Sequence, residues 1–246
     1  MKKSIVYILL IVSSINFYGC KETDKEPVTT IKEKVNINIK PLYNGKDLIF
    51  NTLYKSFQNN NLWFTNNKFY LSDIVAIKKD GSKNLLSDIA LIDFSSASTS
   101  TNISGSISQG EYVAIQFGLG VKPEYNMQDP ATYVTSHPLS VSKNMYWGWA
   151  TQYIFSKLEG FEVQGTDTTS FIIHTGTQDL YRPEIMVPVN FTVSNGGNDV
   201  TINYDLYNLL YQTDYSFDLV KDGQSHTLDH LSLATQYMDN FVNAFN

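Results

Sequence analysis

The sequence predicts a mainly β fold, an antiparallel β-sandwich or barrel with a C-terminal helix. Three observations carry that expectation. Apolar residues alternate with polar ones through most segments after residue 34. Gly- and Asn-rich turn signals separate those segments. A helical apolar stripe is well developed only near the C-terminus.

Taken in order, Val35, Ile37 and Ile39 alternate with Asn36, Asn38 and Lys40, the pattern of a half-buried strand. Asn51–Gln58 has a weak helical pattern. Phe64–Ile77 is a longer strand run in which Asn66-Asn67 predicts a turn or bulge, and it ends at the turn signal Lys78-Lys79-Asp80-Gly81. Ile89–Phe94 and Tyr112–Leu119 follow the same pattern; in the latter Val113, Ile115, Phe117 and Leu119 share one face. Ser95–Thr101 is a Ser/Thr-rich loop and Lys122–Ser142 a longer one. Met145–Gly160 (MYWGWATQYIFSKLEG) reads as a strand that places Trp147 and Trp149, two of only three tryptophans, on one face, with Tyr146 and Ala150 on the other. Phe171–His174 is a further strand. Val187–Val193 and Val200–Tyr204 flank Asn195-Gly196-Gly197-Asn198 and predict a hairpin, with Pro188 favouring an edge position. Leu206–Tyr211 fits either regular structure. In Leu228–Phe245 the residues Leu231, Ala234, Met238, Phe241, Val242 and Phe245 form a helical stripe. No internal repeat is present.

The N-terminus has the pattern of a targeting segment. Met1-Lys2-Lys3 is a basic start, and the apolar run Ile5–Val12 is too short to span a membrane. Gly19-Cys20 after this run resembles a lipobox, so residues 1–19 are expected to be a lipoprotein signal peptide and Cys20 a lipidated first residue. Residues 20–34, charged and poor in apolar side chains, are expected to be the lipidated cysteine and a flexible tether, and 35–246 one β-rich domain. Cys20 is the sole cysteine, so no intrachain disulfide and no thiolate-based zinc or iron–sulfur site is possible. The formal net charge is −6, and loss of Lys2 and Lys3 with the leader takes it to −8. With no basic block, nucleic acid is not an expected partner. The chain carries 16 Tyr and 14 Phe, which suits strands and broad binding faces alike.

With thiolates excluded, the four histidines His137, His174, His226 and His230 are the best metal ligands available. His226 and His230 are separated by the spacing of a helical turn, but His-Thr-Leu-Asp-His lacks the glutamate that follows the first histidine of a zinc protease. Met127 and Met145 could add thioether ligation to Cu(I), although methionine more commonly packs. Asp229 and Asp239 could orient imidazoles through their other ring nitrogen. Glu159, before Gly160, reads as fixing a strand end. No nucleophile elbow, P-loop or dinucleotide fingerprint is present, and no activity as an enzyme is expected.

The order of landmarks resembles the MbnP-like copper-binding protein family, periplasmic or surface proteins named for a methanobactin-associated member. Phe69-Tyr70-Leu71-Ser72-Asp73-Ile74 followed by Lys79-Asp80-Gly81 resembles one of its strands and turns. So do Gly110-Glu111-Tyr112 with Ile115–Val121, and Asn126 with His137-Pro138-Leu139. The most specific block is Met145-Tyr146-Trp147-Gly148-Trp149 with Tyr153-Ile154-Phe155 and Leu158-Glu159-Gly160. Phe171–Gly176 and a C-terminal histidine, His226 or His230, followed by Asp239-Asn240 and Ala244-Phe245 complete the series. The resemblance spans most of residues 35–246.

The resemblance implies copper bound by histidines of a β-rich domain. It carries over His137, His174 and His230 as ligands, with His226 as a substitute for His230. In some members a tryptophan oxidised to kynurenine by a partner dihaem peroxidase-like protein joins the site; Trp147 and Trp149 are the candidates here. The chain is therefore expected to be a copper-binding lipoprotein of the cell envelope of a Gram-negative-type bacterium, anchored at Cys20 in the outer membrane, that binds, stores or hands over copper. The alternative is a metal-free surface lipoprotein recognising glycan or protein through an aromatic face.

Overall fold

The alternation at the start of the domain folds as expected. In β1 (Lys32–Tyr43) Val35, Ile37 and Ile39 are buried, while Asn36, Asn38 and Lys40 between them are half-buried. The computed structural model describes residues 31–94, 101–148 and 151–246, all within one unit, Ile31–Asn246. The expected leader, Cys20, Trp149 and most of the Ser95–Thr101 loop lie outside the described residues. β1 takes in Lys32–Lys34, assigned above to the tether, because their backbone pairs with β6 (Thr101–Ser108) as far as Ser108.

β1 is the centre of a four-stranded sheet. It pairs antiparallel with β2 (Lys46–Asp47) and β6, and parallel with β11 (Asn198–Asp205). The second sheet has eight strands around β4 (Asn61–Lys78), an 18-residue strand. β3 (Tyr54–Lys55) and β5 (Lys83–Asp93) pair with β4. Across the rest of the sheet the order is β10 (Arg182–Val193), β7 (Gly110–Leu119), β4, β8 (Ile154–Gln164), β9 (Asp167–Gly176) and β12 (Gln224–His226). The sheets do not close on each other, so the fold is a mainly β sandwich and not a barrel. Two pairings, β1–β11 and β9–β12, are parallel within an otherwise antiparallel plan.

Asn66-Asn67 marks a bulge, as expected: the register against β8 slips between Phe64 and Asn66. Between the sheets lies an aromatic core. Phe69 lies 4.9 Å from Tyr204 and 5.0 Å from Phe241 (ring centroids), and Phe117 lies 4.9 Å from Phe245. The C-terminal helix α3 (Leu231–Val242) contributes Ala234, Met238 and Phe241 of the expected stripe to this core. It is shorter than Leu228–Phe245 at both ends. Two shorter helices precede it in the chain, α1 (Pro123–Asn126) within the expected long loop and α2 (Leu206–Leu210) in the ambiguous segment.

Three local expectations are corrected. Asn51–Gln58 holds no helix. Leu53 and Phe57 stay exposed, and Tyr54–Lys55 pairs with the start of β4; a stretch this short, with no tertiary face to bury, does not sustain helix nucleation. Val187–Val193 and Val200–Tyr204 are not a hairpin. β10 pairs with β7 and β11 with β1, so the Gly196-Gly197 turn carries the chain from one sheet to the other. Pro188 does lie on an edge strand, since β10 ends its sheet. Finally, Met145–Gly160 is not one strand. β8 begins at Ile154, and before it Tyr146 and Tyr153 meet at an isolated antiparallel bridge. Gly148 at φ +78° and Gln152 at φ +64° take the left-handed conformation that a continuous strand excludes.

Candidate functional site

The site is built on the outer face of the second sheet. β8 and β9 form a hairpin about Gly165-Thr166, in which Lys157 pairs with His174 and Glu159 with Ile172. Phe171, Ile173 and Thr175 of β9 are buried toward the core, so the period of two sends His174 to the opposite face with Lys157 and Glu159. β12 adds alongside β9 in parallel register, with His226 directly opposite His174. The two imidazoles share that face, with ring centroids 5.6 Å apart and planes at 86°.

Trp147 covers them. The loop returns on itself through the Trp147 N–H, which donates to the Gln152 carbonyl at 2.9 Å. The half-buried indole lies 5.6 Å from His174 and 6.1 Å from His226. From the sheet, Lys157 Nζ donates to the Asn144 carbonyl at 2.7 Å and ties down the segment that leads into this loop.

Each imidazole is held by a carboxylate. His174 Nε2 lies 2.7 Å from Glu159 Oε1, and its Nδ1 is buried without a hydrogen-bond partner. Asp229 grips His226 twice, accepting from its backbone N–H at 2.7 Å and meeting Nδ1 at 3.2 Å. Between the histidine and this aspartate, Thr227 is forced to φ +72°, an outlier for a β-branched residue, while its hydroxyl donates to the His174 carbonyl at 3.1 Å. Burial pushes the His174 pKa below its ordinary value, and the bond to Glu159 only partly opposes this. Burial alone would raise the Glu159 carboxyl, but hydrogen bonds from His174 and Asn66 and the charges of His174 and Lys157 outweigh it and leave it below the usual range.

Of the four candidate histidines, the structure brings two together. His230 precedes α3 and its Nδ1 donates to the Gln224 carbonyl at 2.8 Å. It lines a separate cavity of about 480 Å³ with Tyr215 and Lys221. His137 stacks on Tyr133 at 4.1 Å and its Nδ1 accepts the Leu139 N–H at 3.1 Å. Met145 packs in the core and Met127 projects into solvent. Asp229 orients a histidine as expected, but Asp239 instead pairs with Arg182 at 2.7 Å. Glu159 was missed as a site residue. The signal that finds it is the Gly165 turn, which fixes the hairpin register and sets Glu159 diagonally across from His174.

Among the described residues no group of three or more His, Cys, Asp and Glu side chains converges as a metal cage. By ring separation alone, the pair could hold a low-coordinate ion. A metal–imidazole bond runs about 2.0–2.1 Å, so two imidazoles on one ion have centres roughly 5–6 Å apart, close to the separation of His174 and His226. The buried, unpartnered Nδ1 of His174 supplies a free donor.

No curated protein matches the chain. Among solved structures, MbnP from Methylosinus trichosporium superposes with a TM-score of 0.51 at 16% identity, covering 73% of this chain and 78% of that one. At that identity the likeness is one of fold. The MbnP family model matches residues 32–227, a span that holds the sandwich, the Trp147 loop, His174 and His226. The chain belongs to the MbnP family.

Proposed function

We propose that this protein binds copper at the cell envelope and stores it or hands it over, with no turnover of its own. The observation that carries this reading is the pairing of His174 and His226 across β9 and β12, 5.6 Å apart beneath Trp147, with one imidazole nitrogen buried and unpartnered. Imidazole suits copper, and Cu(I) accepts few donors. Membership of the MbnP family supports the same metal, through the family's association with methanobactin and copper. His174 and His226 are the proposed ligands; His230 and His137 are turned to other partners. Trp147, in contact with both rings, is the proposed site of oxidation by a dihaem peroxidase-like partner. The lipobox-like Gly19-Cys20 supports anchoring through Cys20 at the outer membrane.

The test is metal content by mass spectrometry after Cu(I) loading and desalting, with intact mass measured in parallel. About one copper retained per chain is expected, and His174→Ala should lose most of it. Folded protein that retains no copper, both before and after treatment with the peroxidase-like partner, overturns the reading. Cys20→Ser should release the chain from the membrane fraction.

A further inference from the structure

Glu159 lies two residues along β8 from Lys157, the residue paired with His174, and so on the same face of the sheet. From there Oε1 reaches His174 Nε2 at 2.7 Å. Asn66 is the register partner of Glu159 on β4. A carboxylate accepts and does not donate, so the nitrogen facing it carries the hydrogen. The neutral imidazole then has its hydrogen on Nε2 and its lone pair on Nδ1. His174 is 8% exposed, and its Nδ1 finds no donor anywhere around it. A buried acceptor left empty is a standing cost, which a ligand at that atom removes.

We infer that Glu159 is a positioning residue that decides which nitrogen of His174 meets the metal: Nε2 is committed to the carboxylate and Nδ1 is the donor. This rests on the copper reading of the site. On His226 the arrangement is reversed, since Asp229 takes Nδ1 and leaves Nε2 free. The pair therefore offers one Nδ1 and one Nε2. Outer carboxylates of this kind fix the tautomer and raise the basicity of the donor nitrogen.

The experiment uses the full chain in detergent, with ring-15N histidine, and Ag(I) as a diamagnetic probe in place of Cu(I). Before loading, the His174 nitrogen shifts should report hydrogen on Nε2. After loading, silver coupling should fall on His174 Nδ1. Glu159→Gln should keep the stoichiometry but weaken Cu(I) binding by roughly 10–100-fold against a chromophoric chelator, with a changed tautomer balance at His174 that a merely structural role would not produce. Silver coupling on Nε2, or a Glu159→Gln protein with unaltered affinity and tautomer, overturns the assignment while leaving the copper reading in place. Folded protein with no silver on any imidazole overturns the copper reading and this assignment with it.

Discussion

His226 faces His174 across a parallel ladder, at the one register position where β12 ends and β9 is still paired to β8. Sequence separation between the two is large, and the second ring is held by the three residues of β12 together with Asp229. In the proposed reading, His226→Ala therefore lowers copper retention as His174→Ala does, whereas His230→Ala and His137→Ala retain the metal. Copper per chain across the four variants checks this.

Lys157 bonds the carbonyl of Asn144 and anchors the approach to the Trp147 loop. Burial lowers its pKa, with the Glu159 charge opposing. Lys157→Met should cost no more than about 1 kcal/mol of global stability, yet raise amide exchange across residues 144–153. Exchange mass spectrometry distinguishes this local loosening from global destabilisation.

Gly160 is required by close packing. A Cβ built there would meet the Trp63 carbonyl oxygen at 2.2 Å and the Phe171 ring at 2.4 Å. Gly160→Ala should destabilise by about 1–3 kcal/mol, read as a lower urea midpoint. An unchanged midpoint would show that β4 and β8 can separate without cost.

Asp205, buried at the end of β11, accepts the N–H groups of Asn44 at 2.9 Å, Gly45 at 2.7 Å and Tyr207 at 2.9 Å. It caps α2 and closes the β1–β2 turn together. Asp205→Ala should cost about 2–3 kcal/mol, the loss of a cap plus buried donors left without acceptors, measured by equilibrium unfolding.

Alkali should unfold the protein through its interior tyrosines. Burial pushes Tyr70, Tyr204 and Tyr237 above their ordinary pKa. The unfolded chain ionises them near pH ~10, so it binds fewer protons than the folded chain above that pH. The stability linked to them is complete below pH ~10 and is lost as pH rises beyond it. Ultraviolet titration should show one group of tyrosines ionising reversibly and a second only together with the loss of circular dichroism.

Strands with one fully buried face were legible, because the period of two is written in neighbouring residues; Val35–Lys40 is the example. What the local pattern does not contain is the partner. The same Asn-Gly-Gly-Asn turn serves a hairpin or a crossing between sheets, and only the free side of β1 makes it the latter. Trp147 reads as a strand residue because an aromatic loop that packs on a sheet mimics alternation; Gly148 and its positive φ are the local sign against it. At the site, the histidine types were visible, but the choice of His226 over His230 as neighbour of His174 depends on three residues of β12 whose pairing is not encoded nearby. Glu159 became visible only once the β8–β9 register was fixed.

The pairing of β1 with β11 sets the order in which the chain can mature. The first strand among the described residues finds its parallel neighbour only after Asn198–Asp205 has been made, more than 150 residues later. Such widely separated partners make folding slow. Until then β1 has an unfilled side beside a growing polypeptide, and the four-stranded sheet locks only when β11 has emerged.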